Sequence, residues 1–123
     1  MQMNPHQIGV DIIEISRIRQ AVDRWGEHFL KRIFTDSELN SYRTRPESLA
    51  ARFAGKEAAM KALSPTACTV GWREVEILSE PNGKPAVHLY GKARQRAEDL
   101  GLKGLEISLS HSREYAVALV IGF

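Results

Sequence analysis

Glu57 and Lys61 stand four residues apart in LAARFAGKEAAMKAL, residues 49–63. At helical period they share one side of a helix, beside an apolar stripe of Leu49, Phe53, Met60 and Leu63. The commoner meaning of such a pair is a plain i,i+4 contact in the favourable Glu-before-Lys order. The other is a site where the carboxylate binds a cation and the ammonium an anion. A third group of this kind is Asp11 in QIGVDII, a short run in which Ile8, Val10 and Ile12 alternate with Gly9, Asp11 and Ile13. Strands disfavour aspartate, so Asp11 is either the cap of the next helix or a metal ligand or base. His111 ends an alternating row of Leu105, Ile107 and Leu109, where a histidine is more often structural than catalytic, and Ser110 and Ser112 flank it. No Gly-x-Ser-x-Gly elbow and no triad order accompany these serines, which excludes nucleophilic serine chemistry. A glycosidase-like pairing of Asp11 with Glu57 leaves Lys61 without a role.

These groups need a frame, and the hydropathy pattern supplies one. Residues 7–13 read as a strand and 14–25 as a helix with Ile15, Ile18, Val22 and Trp25 on one side. Arg17 and Arg24 share part of its polar side, where basic residues are usually just solvated. A short helical piece follows at 28–34, and Thr35-Asp36-Ser37-Glu38 has the spacing of a capping box. Pro46 suits the first turn of the central helix and Pro65 its stop. Residues 72–80 and 85–90 read as strands around a turn at Pro81-Asn82-Gly83-Lys84. A helix over 91–100 ends at Gly101, and strands over 105–110 and 115–121 close the chain. The expected class is α+β, a helical N-terminal half packed on an antiparallel sheet from the C-terminal half.

A chain of 123 residues is expected to form one domain. With 43% hydrophobic and 26% charged residues it is globular rather than disordered. The net charge of +2 is too small to point to nucleic acid. A single cysteine, Cys68, excludes an internal disulfide. No apolar run is long enough to span a membrane and residues 1–5 carry no signal-peptide pattern, so a cytoplasmic protein is expected.

The fragments IGVDIIEISRI, RIFTDSEL, RFAGKEAAMKAL, EPNGKPAVHLYG and ISLSHSREYAVALVI occur in this order over nearly the whole chain. As an ordered set they resemble the holo-acyl-carrier-protein synthase family of phosphopantetheinyl transferases. The resemblance implies transfer of 4′-phosphopantetheine from coenzyme A to a serine of apo acyl carrier protein, releasing 3′,5′-ADP, as in fatty acid biosynthesis. It implies that Asp11 and Glu57 hold Mg²⁺, which takes carboxylate, phosphate and water oxygens. It makes Lys61 a contact of the phosphate or a proton donor to the leaving one. The serine proton goes to Asp11, Glu57 or a water, a choice the residues leave open. By the same resemblance Arg52, His111, Ser112 and the turn Gly83, Lys84 and Pro85 contact coenzyme A. Arg17 and Arg24 match the basic face that receives the acidic carrier helix. The family's assembly is a homotrimer with sites between protomers, which gives Val117, Leu119 and Ile121 an apolar partner.

One segment departs from the family pattern. Where Gly-Thr-Gly is usual, this chain has Ser64-Pro65-Thr66, a stiffer turn with fewer backbone N–H groups for a phosphate. Altered coenzyme affinity with retained activity is expected. Two rival readings follow from the residues: a non-catalytic carrier-binding module, and a small basic nucleic-acid-binding domain. The four intact groups at Asp11, Glu57, Lys61 and His111 stand against the first, and the low charge against the second.

Overall fold

The structure, a computed structural model, describes residues 7–63 and 70–123. Strand β1 (Gln7–Glu14) leads into helices α1 (Ile15–Trp25), α2 (Glu27–Ile33), α3 (Asp36–Tyr42) and α4 (Pro46–Leu63). A 3₁₀ turn at Trp72–Glu74 precedes strands β2 (Val75–Ser79) and β3 (Pro85–Leu89). Helix α5 (Gly91–Asp99) and strands β4 (Leu105–His111) and β5 (Tyr115–Gly122) complete the chain. The class is α+β, and the antiparallel strands lie in two sheets, β1-β5-β4 and the hairpin β2-β3. The N-terminal strand therefore joins the C-terminal hairpin, with Asp11 opposite Ala118 and Ala118 opposite Leu109.

Helix α4 is the axis of the molecule, and it is buried on nearly every side. Its innermost residues are alanines: Ala50, Ala54, Ala58 and Ala59 are fully buried, whereas Phe53 and Met60 of the expected stripe remain partly exposed. Small side chains let α4 lie directly on β1. A Cβ at Gly9 would overlap the carbonyl oxygen of Ala58, so only glycine fits there. Gly55 serves the same purpose beneath Ile77 and Ile107, where a Cβ would fall 2.6 and 2.9 Å from their Cδ1 atoms. One core lies between the C-terminal half of α4, both sheets and α5; the other lies between its N-terminal half and α1–α3.

A buried ion pair fixes α4 against the rest. The capping box expected at Thr35 forms, with Glu38 N–H donating to Thr35 Oγ1 at 3.2 Å and Thr35 N–H to Glu38 Oε1 at 2.9 Å. The Glu38 carboxylate also accepts the Lys56 ammonium at 2.8 Å and the Ile77 N–H at 2.8 Å. Lys56 donates further to the carbonyls of Val75 and Trp72, the latter at 3.0 Å. Both side chains are fully enclosed, and every Lys56 donor has an acceptor. Burial still pulls the Lys56 pKa down, opposed by Glu38. Residues 72–74, expected as strand, turn instead because side chains capture their backbone: Lys56 takes the Trp72 carbonyl and Glu74 Oε1 takes the Gly71 N–H at 2.7 Å.

Candidate active site

Asp11 projects from β1 on the face that meets α4, the same face as Gly9 and Ile13. Glu57 faces it from α4. With Arg17 of α1 they line a cleft of about 350 Å³, whose apolar walls include Ile13, Ile18, Phe29 and Phe53. Two carboxylates in a half-enclosed space repel each other. Accordingly the Glu57 pKa is raised above 4.5, first by burial and then by the Asp11 charge, with Lys61 and Arg17 pulling the other way. Lys61, one turn beyond Glu57, donates to Asp11 Oδ1 at 3.0 Å and to the Val10 carbonyl at 3.1 Å. Asp11, Arg17, Glu57 and Lys61 thus form one charged group at the junction of β1, α1 and α4.

The donor set suits a hard divalent cation. It offers carboxylate oxygens only, and the described residues contain no cluster of three potential ligand side chains. A cation there keeps positions for phosphate oxygens and water, the usual manner of Mg²⁺.

The other residues singled out by sequence lie away from this cleft within one chain. Arg52 is buried; its Nε donates to the Ile77 carbonyl at 3.3 Å, Nη2 to Ser79 Oγ at 3.1 Å, and its guanidinium lies 3.7 Å from the Tyr42 ring centre. Burial lowers its pKa, opposed by Tyr42 and Glu38. Gly83, at φ 87°, is in the exposed β2–β3 turn; the Lys84 carbonyl there accepts the Glu80 N–H at 2.8 Å, and Pro85 begins β3. His111 closes β4 on the opposite edge of the three-stranded sheet from β1, and it is exposed. Ser112 Oγ accepts the Tyr115 N–H at 3.2 Å in the β4–β5 connection. Arg24 lies along α1 with its guanidinium 4.9 Å from the Trp25 ring centre. Ser64-Pro65-Thr66 falls outside the described residues.

Sequence reading passed over Lys56 and Glu76. The spacing of Glu38 in its capping box was a signal for one member of the buried network, but nothing in KEAAMK distinguishes a fully enclosed Lys56 from a solvated one. Glu76 accepts Thr35 Oγ1–H at 2.6 Å and Tyr90 O–H at 3.0 Å, and it alternates with apolar residues just as a solvent-facing residue would.

The chain belongs to the 4′-phosphopantetheinyl transferase superfamily, whose family model matches residues 7–120. Within that class it is similar to a holo-[acyl-carrier-protein] synthase of Dehalococcoides mccartyi, 57% identical over 113 residues that cover 92% of this chain and 94% of the relative. A synthase of the same description from Herpetosiphon aurantiacus is 49% identical over 121 residues, covering 93% and 95%. Among solved structures, the Helicobacter pylori holo-[acyl-carrier-protein] synthase in complex with coenzyme A superposes with a TM-score of 0.84 at 30% identity, covering 94% of this chain and 99% of that one.

Proposed function

We propose that this chain transfers 4′-phosphopantetheine from coenzyme A to a serine hydroxyl of apo acyl carrier protein, with Mg²⁺ held by Asp11 and Glu57. The observation that carries the site assignment is the convergence of these two acids, from β1 and α4, on one cleft with Lys61 beside them. In this reaction the serine oxygen forms a bond to the pantetheine-bearing phosphorus, the bond from that phosphorus to the departing phosphate breaks, and 3′,5′-ADP leaves. Held by Asp11 and Glu57, Mg²⁺ would neutralise charge on the pyrophosphate. Glu57, facing Asp11 across the cleft, is placed to take the serine proton directly or through a water, with Asp11 as the other candidate. Lys61 presents an ammonium to the phosphate whose negative charge grows as the bond breaks. Arg17, at the cleft, and Arg24, further along α1, offer positive charge to an acidic carrier helix.

The coenzyme contacts are assigned to an adjacent protomer. Arg52 holds the end of β2 that leads into the Gly83–Pro85 turn, and His111 and Ser112 lie at the far sheet edge. A homotrimer with sites between protomers would unite these groups with the Asp11–Glu57 cleft. The sheet face turned away from α4 supports an assembly: Ile8, Val10 and Ile12 are 67%, 56% and 63% exposed, opposite Ile121, Leu119 and Val117. No described helix is long and apolar enough to cross a membrane, and we place the reaction in the cytoplasm, in fatty acid synthesis.

Glu57→Gln separates this reading from a carrier-binding module that has lost turnover. The enzyme reading expects loss of Mg²⁺-dependent turnover with carrier affinity retained, as measured by surface plasmon resonance. Retained turnover would contradict the assignment of Glu57.

A further inference from the structure

We propose that Lys61 is the internal counter-ion of Asp11 until a divalent cation replaces it, and that this replacement releases the ammonium to meet a substrate phosphate. The inference rests on the reading above, in which Asp11 and Glu57 hold the cation.

The two acids are treated unequally in the structure. Asp11 has a cationic partner, with Lys61 Nζ at 3.0 Å, whereas Glu57 makes no ion pair among the described residues. A divalent cation held by the two acids would neutralise both carboxylates. The ammonium then becomes surplus positive charge close to the cation, and Coulomb repulsion drives it off Asp11. What remains to hold it is the neutral Val10 carbonyl at 3.1 Å, a weaker partner than a carboxylate.

Lys61 is built to leave. Its side chain is 54% exposed while that of Asp11 is 15% exposed, so the ammonium detaches into water and the carboxylate stays in the cleft. The contrast with Lys56 is direct. That ammonium has three protein acceptors and no exposure, and it cannot move without leaving Glu38 stranded. Lysine also suits the role chemically, as a compact charge on a flexible stem with freely turning donors. On release, the ammonium remains anchored through α4, one turn from Glu57.

The consequence is an order of assembly. The cation-free site is self-neutralised at Asp11 and presents no free ammonium to a phosphate. The cation-loaded site presents the metal and Lys61 together. Cation and phosphate binding are then coupled beyond the attraction between the two ligands themselves, and reciprocally so.

The test follows the Lys61 Nζ resonance in protein labelled with ¹⁵N-lysine, assigned by its absence in Lys61→Met, while Mg²⁺ is added without coenzyme A. The expected result is a hydrogen-bonded, slowly exchanging ammonium that becomes mobile at saturating Mg²⁺. In parallel, Mn²⁺ binding read by electron paramagnetic resonance is expected to be about fivefold tighter in Lys61→Met, the size of one exposed ion pair removed from competition. An unchanged Lys61 resonance while Mn²⁺ binds the wild type at Asp11 and Glu57 overturns the exchange but leaves the cation site standing. A tighter Lys61→Met site whose gain vanishes in high salt, with the wild-type resonance fixed, means a general field effect and also overturns it. Mn²⁺ binding that is indifferent to Asp11→Asn and Glu57→Gln overturns the exchange and the cation site together.

Discussion

At the scale of single residues, Glu57 is where burial and charge oppose each other. Its carboxyl is raised above 4.5 by enclosure and by Asp11, so the charged form is disfavoured in the folded protein without a cation. Below 4.5 the group is protonated folded and unfolded and contributes nothing; as pH rises into the interval between 4.5 and the raised folded value, the unfolded chain ionises first and stability falls. Glu57→Gln is therefore expected to raise the cation-free unfolding midpoint at neutral pH while abolishing turnover, as denaturant titration and a carrier-loading assay would read. The acid limb of kcat/KM is expected to shift to lower pH as Mg²⁺ increases, since burial and Asp11 raise the cation-free carboxyl and the cation favours the carboxylate. A limb that does not move with Mg²⁺ would detach Glu57 from the metal. Asp11 was marked in the sequence as an acid in a strand, but Glu57 looked like an ordinary i,i+4 partner of Lys61, and the ordered family resemblance rather than either residue alone singled out the pair. Lys56 carried no such mark, because a lysine needs its tertiary partners to become interior.

At the scale of elements, the site depends on how closely β1 approaches α4. Gly9 and Ala58 set that approach, two residues before Asp11 and one after Glu57. Gly9→Ala is expected to destabilise the protein by about 1–3 kcal/mol, because its Cβ must push β1 off the helix. The same displacement separates the two acids, so apparent Mg²⁺ affinity should fall even at temperatures where the variant stays folded. Unchanged Mg²⁺ affinity in a destabilised variant would mean that strand position does not set the site. Lys56 holds α4 from the other side. Lys56→Met strands the Glu38 carboxylate in the core and is expected to lower stability by about 3–5 kcal/mol in a urea titration. The sequence showed most of the elements within a residue or two, since strand alternation, the Thr35 capping box and the Gly83 turn are local signals. Of the expected α4 stripe, Leu49 and Leu63 are buried but Phe53 and Met60 are not, because a helix buried on nearly all sides has no single stripe to read. Phe53 and Met60 seemed the natural core residues by size, yet close backbone packing selects alanine. Residues 72–74 were misread as strand for a related reason: the bonds that turn them come from Lys56, in a distant element, and from the Glu74 side chain.

At the scale of the whole molecule, one chain positions the acids and leaves an apolar sheet face and several proposed coenzyme contacts apart from them. That division gives the assembly its test. If sites form between protomers, Glu57→Gln and His111→Ala chains are inactive alone but recover activity when refolded together. Random closed trimers restore about a quarter of the interfaces. No recovery in mixed trimers would place the whole site within one chain. The carrier surface predicts a separate behaviour: Arg24→Ala, on α1 outside the cleft, should raise KM for the carrier and flatten its dependence on salt, leaving KM for coenzyme A unchanged. Equal loss for both substrates would count against a docking role for that face. The central claim is group transfer at a cation site, and the most direct measurement is the intact mass of apo acyl carrier protein after incubation with this protein, coenzyme A and Mg²⁺, with and without EDTA. A gain of one phosphopantetheine that EDTA abolishes is the predicted result. No gain on any of several carriers, or a gain indifferent to EDTA and to Asp11→Asn, would contradict it.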